Sequence, residues 1–101
     1  MYESIFMDKI TFKVGKPPHR FNDADVENLN VYRFVLVNGK RLSGCFIIEA
    51  TTAIRSRYYI SLKDCLVYDE GCLKLRVWKS LGQCKRDLVE MINKNASAYF
   101  P

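Results

Sequence analysis

The chain has 101 residues, 49% of them hydrophobic and 13% aromatic, enough for a single compact domain spanning 1–101. That composition excludes a disordered chain and requires no covalent staple. Sixteen Lys and Arg against eleven Asp and Glu leave a net charge of +5, which favours an anionic partner.

The opening MYESIFMDKI is interrupted by Glu3 and Asp8 and has no basic n-region. It does not read as a signal peptide, and no segment is long and apolar enough to span a bilayer. The expectation is a cytoplasmic protein with no membrane partner. Cysteines stand at 45, 65, 72 and 84, with no C-x-x-C pair and one distant histidine, His19. All four read as small buried hydrophobes, with no metal and no cofactor implied.

In chain order, Ile10, Phe12 and Val14 alternate with Thr11 and Lys13, the period of a strand with one buried face. Gly15 ends it, and Pro17-Pro18 forces an extended connection. Residues 21–28 suit one or two helical turns, with Asn22 or Asp23 as N-cap. Residues 31–50 form a hairpin about Asn38-Gly39, the strongest short-range hairpin signal in the chain.

A three-residue loop, with Gly39 left-handed, segregates bulk best. It gathers Tyr32, Phe34, Leu36, Leu42, Phe46 and Ile48 on one face, with Gly44 beneath the aromatics. The opposite face takes Arg33, Val35, Arg41, Ser43, Cys45 and Ile47, and its apolar residues imply that it too is partly covered.

Residues 51–56 make a polar bend. A strand over 57–63 follows, with Tyr58, Ile60 and Leu62 inward and Arg57, Tyr59, Ser61 and Lys63 outward. Asp64 is a bulge or break. Residues 65–68 and 72–78 pair about Asp69-Glu70-Gly71, with Leu73, Leu75 and Val77 inward and Lys74, Arg76 and Trp78 outward. Ser80 followed by Gln83 has the form of a capping box. Leu81, Cys84, Leu88, Met91 and Ile92 then recur at helical spacing, a stripe that docks on the sheet, and the helix ends over 93–95.

These elements define an α+β, mostly β fold. It is a small antiparallel sheet or an SH3- or Sm-like barrel of five to six strands, with a C-terminal amphipathic helix. Residues 34–44, reading FVLVNGKRLSG, resemble the first hairpin of the Sm and Hfq family, where an apolar strand, an Asn-Gly turn, a leucine and a strand-bending glycine recur at this spacing. Ala50, Thr51, Thr52 and Ala53 stand where that family carries its RNA-contacting Asp and Asn, so the likeness bears on barrel geometry alone.

No P-loop, G-x-S-x-G, H-E-x-x-H or dinucleotide motif is present, and no motif places a nucleophile beside His19. The chain reads as a non-enzymatic binding module with no catalytic residues. Its candidate surface is the outward face of two strands: Arg57, Tyr59 and Lys63 from one, Lys74, Arg76 and Trp78 from the other, extended by Arg55. Cations there would neutralise phosphates while Tyr59 and Trp78 stack on bases, as RNA or single-stranded DNA binding requires. Trp78 has an alternative place beneath the helix that starts at Ser80. The same Tyr, Trp and Arg residues also suit a protein interface. The second reading is therefore a stand-alone adaptor or inhibitor, of the kind phages direct at host proteins.

Overall fold

A computed structural model describes residues 10–16, 29–51, 53–69, 74–95 and 99. The helical turns expected over 21–28, the Pro17-Pro18 connection, Glu70, Gly71, Cys72, Leu73 and Phe100 lie outside them.

Five strands form one antiparallel meander in the order β1-β2-β3-β4-β5: β1 Ile10–Gly15, β2 Leu29–Val37, β3 Lys40–Thr51, β4 Ser56–Leu62 and β5 Cys65–Leu66. Helix α1, Leu81–Lys94, follows. The architecture is the antiparallel sheet with a C-terminal helix that the sequence implies. The sheet is open, with β1 and β5 at its two ends, so the barrel alternative does not hold.

Alternation along each strand separates two apolar clusters. Ile10, Val35, Cys45, Ile47 and Ile60 face α1 and meet Cys84, Leu88, Val89 and Ile92. Leu88 and Ile92 are fully buried, and each contributes on the order of 1.5–3 kcal/mol by leaving water. Val89, absent from the stripe read on the sequence, joins this core. Ser80 caps the helix by accepting from the Gln83 N–H at 3.3 Å. The Gln83 side chain turns away from the cap to Asp87, so the reciprocal half of a capping box is not made.

The other face of the sheet gathers Tyr32, Phe34, Phe46, Ile48, Ala50 and Tyr59. Phe46 packs tilted against Tyr32 and Phe34, with centroids 5.8 and 5.4 Å apart. The Arg41 guanidinium lies 3.7 Å from the Phe34 centroid.

The hairpin reaches this segregation by a route other than the expected loop. Val37 pairs with Lys40 and Leu36 with Arg41. The turn is therefore the two residues Asn38 and Gly39, at φ +52° and +81°, both left-handed as a type I′ turn requires. Beyond it, Phe34 pairs with Phe46, so residues 42–45 stand against Val35 alone. This bulge inserts an odd number of residues and returns Phe46 and Ile48 to the side of Tyr32 and Phe34. Leu42, before the bulge, packs instead with the helix-side core.

Gly44, at φ +75°, makes the bulge. Its carbonyl accepts from the Asp64 N–H at 3.0 Å and from the buried Ser61 hydroxyl at 3.1 Å. Those bonds fasten the bulge to the β4–β5 turn, where Lys63 and Asp64 are also left-handed at +52° and +64°.

Where a sixth strand over 72–78 is expected, its described part makes single bridges, Leu75 to Tyr68 and Trp78 to Tyr58. Tyr58 and Trp78 exchange both backbone bonds, at 2.9 and 2.8 Å. Leu75 packs inward on the second cluster and Lys74 is exposed, as expected, but the facing of Val77 and Trp78 is reversed. Trp78 is buried at 5% exposure and belongs to the helix-side core, while Val77 is 43% exposed. Helix α1 starts within a few residues of Trp78 and covers that side of the bridge. Tyr99 packs against the same core.

Candidate anion-binding cleft

The bridge that buries Trp78 also sets its neighbours. Arg57 and Lys79 flank the Tyr58–Trp78 bridge, and both reach one concavity together with Val77. Arg55 comes from the bend that enters β4, and Ser56 is the first residue of that strand. Together Arg55, Ser56, Arg57, Val77 and Lys79 line a cleft of about 370 Å³. The three cations are exposed, and no carboxylate is among the described residues lining it. Like charges gathered on one concavity repel, a cost that an anion between them offsets. Ile54, 93% exposed, stands at the tip of the bend beside Arg55.

The residues grouped on the sequence divide. Arg55 and Arg57 meet in the cleft. Tyr59 is 8% exposed and lies in the second core cluster. Arg57, Tyr59 and Ser61 do share a face, as alternation demands, but past Arg57 that face is interior. With Tyr59 and Trp78 both buried, the aromatic stacking surface is absent. Lys63 lies elsewhere, its Nζ 5.3 Å from the Tyr99 centroid. There it lines a separate cavity with Leu42, Ser43, Asp64 and Tyr99. Lys74 is exposed, outside the cleft.

Arg76 lies 4.7 Å from the Trp78 centroid, and 3.9 Å separate its Nη2 from Asp87 Oδ2. Lys79 is the residue that sequence reading missed. Once Trp78 is placed inward, alternation brings Lys79 out beside Val77.

Asp87 organises the helix side of this junction. The Trp78 indole N–H donates to its Oδ2 at 2.7 Å, and the Gln83 amide donates to its Oδ1 at 2.7 Å. Arg86 braces Gln83 at 2.9 Å. The indole hydrogen bond is the main influence holding the Asp87 carboxyl below its ordinary range; Gln83, Arg76 and Arg86 add to it against a desolvation cost. A depressed folded-state pKa contributes stability that is present above the unfolded value of about 3.9 and lost as pH falls through the folded value. The stability gap between wild type and Asp87→Asn is accordingly expected to narrow on acidification below about pH 4. Urea midpoints measured across that range check this, and a gap independent of pH would contradict it.

Burial pushes the Cys84 thiol up to about 12, with the Asp87 charge adding to it. Burial also raises Cys45. Both stay protonated at neutral pH and serve as core hydrophobes. Cys65 departs from that expectation and is exposed. Among the described residues no group of His, Cys, Asp and Glu is placed to hold a metal ion. No helix among them is long and apolar enough to cross a membrane. No protein-family model, curated protein or solved structure matches the chain.

Proposed function

We propose that this protein is a small binding module that takes nucleic acid by its phosphates at the cleft of Arg55, Arg57 and Lys79. The observation that carries this is the convergence of three cations from two chain segments on one concavity with no carboxylate among its described lining. The net charge of +5 supports it by steering an anion toward the whole surface. With Tyr59 and Trp78 in the core, binding rests on phosphate contacts and counterion release. It is therefore salt-sensitive and reads little sequence.

Fluorescence anisotropy of labelled single-stranded RNA and DNA against a salt series tests this. Three phosphate contacts predict a log–log slope near −2. Arg57→Glu is expected to weaken binding at least about tenfold, the loss typical of a charge-assisted hydrogen bond. Arg57 is exposed, so the variant keeps its fold. Equal binding by wild type and Arg57→Glu would overturn the proposal.

Exposed Ile54 and Val77 beside these cations favour one other reading, an adaptor or inhibitor that grips another protein through apolar contacts. That partner would lose affinity with Ile54→Ala, which leaves the charge unchanged, and respond weakly to salt, the reverse of the nucleic-acid pattern.

A further inference from the structure

Resting on the nucleic-acid reading of the same cleft, we infer that its ligand is the terminal phosphate of a strand, a phosphomonoester, in preference to an internal phosphodiester. Charge is the first argument. An internal diester carries a single negative charge, whereas a monoester carries about −1.5 to −2 at neutral pH and three strong acceptor oxygens. Arg57 and Lys79 bring two positive charges to one concavity that Arg55 also lines, and the dianion matches that pair more closely. Each guanidinium can fork two N–H donors onto phosphate oxygens while the lysine acts as a point charge.

Shape is the second. A volume of about 370 Å³ lies at the small-molecule end of binding sites, which run from roughly 300 to 1,000 Å³. That space suits one nucleotide at a strand end. An internal diester must fit flanking sugars on both sides. Val77, 43% exposed, supplies an apolar wall for the single terminal sugar. The third argument is the meeting of Arg57 and Lys79 at one concavity, where their repulsion is offset most fully by a doubly charged group between them.

The test compares one short single-stranded oligonucleotide carrying a 5′-phosphate, a 3′-phosphate or neither, by competition anisotropy with the full chain. One phosphorylated form is expected to bind about tenfold or more tightly than the bare strand, the value of one extra charge-assisted contact. Which form it is identifies the end. That advantage shrinks below the phosphate's second pKa of about 6. It disappears in Arg57→Glu and in Lys79→Glu, while Lys74→Glu, an exposed charge change of equal size outside the cleft, retains it. Equal affinity for all three oligonucleotides would overturn the terminal-phosphate inference and leave the binding module standing. Failure of all three to bind would remove both.

Discussion

Gly44→Ala is expected to lower the stability of the protein by about 3 kcal/mol or more, from two additive causes. The first is conformational: φ is +75° at this position, and a left-handed backbone costs an L-residue about 1–2 kcal/mol. The second is contact with backbone. A Cβ built on Gly44 falls 2.7 Å from Lys63 Cα and 2.8 Å from the Asp64 nitrogen. Neither atom can rotate aside, so the β4–β5 turn must move. Moving it breaks the Asp64 N–H bond to the Gly44 carbonyl and strands the Ser61 hydroxyl, which is fully buried. An unpaired buried polar group costs about 1–3 kcal/mol.

Gly39→Ala is the internal control. Its φ is +81°, yet an added Cβ meets nothing within 4 Å, so only the conformational cost of about 1–2 kcal/mol applies. Urea unfolding followed by the fluorescence of the single tryptophan measures both. Equal losses at the two glycines would contradict the bulge contact.

Trp78→Ala is the second large effect, about 3–5 kcal/mol by the usual cost of removing a buried aromatic ring. Against a typical total of 5–15 kcal/mol, that leaves a marginal fold. The ring fills the space between β4 and α1 and supplies the donor for Asp87. Trp78→Phe separates these roles. It keeps most of the packing and loses the indole bond, for an expected cost of about 1–2 kcal/mol. Far-UV circular dichroism follows both variants, since the fluorophore is gone. A cost below about 1 kcal/mol for Trp78→Ala would mean that the ring is not core.

Much of this fold is legible along the chain because its signals are local. The Ser80 cap and the apolar recurrence through Leu88 and Ile92 mark α1 without any knowledge of what it packs on. Alternation likewise marks β1, β3 and β4. Parity, however, is degenerate. A two-residue turn followed by an odd bulge at Gly44 places Phe46 and Ile48 on the same side as a three-residue loop does. The hydrophobic pattern therefore reports the faces correctly past the bulge, but misses the turn and the facing of Arg41 and Leu42 before it.

The candidate site failed on the sequence for a related reason. Alternation over 74–78 separates Trp78 from Val77, but which one is covered depends on α1, a tertiary contact. With Trp78 read as outward, Lys79 falls on the inward side and the pattern puts Tyr59 and Trp78 on a shared surface, whereas both are buried. Tyr59 reads as outward on alternation but is interior, because the sheet has a core on each face. One-sided alternation gives no sign of the second. The β4–β5 turn was visible only as a break at Asp64, because left-handed Lys63 and Asp64 lack the glycine that usually announces such a turn.

The most direct test of the cleft is amide chemical-shift mapping of the isotope-labelled protein during titration with a single-stranded oligonucleotide. Saturable shifts concentrated at Arg55, Ser56, Arg57, Val77 and Lys79 are the predicted result. Shifts concentrated instead around Leu42, Lys63 and Tyr99, or none at low salt, would contradict phosphate binding at this site.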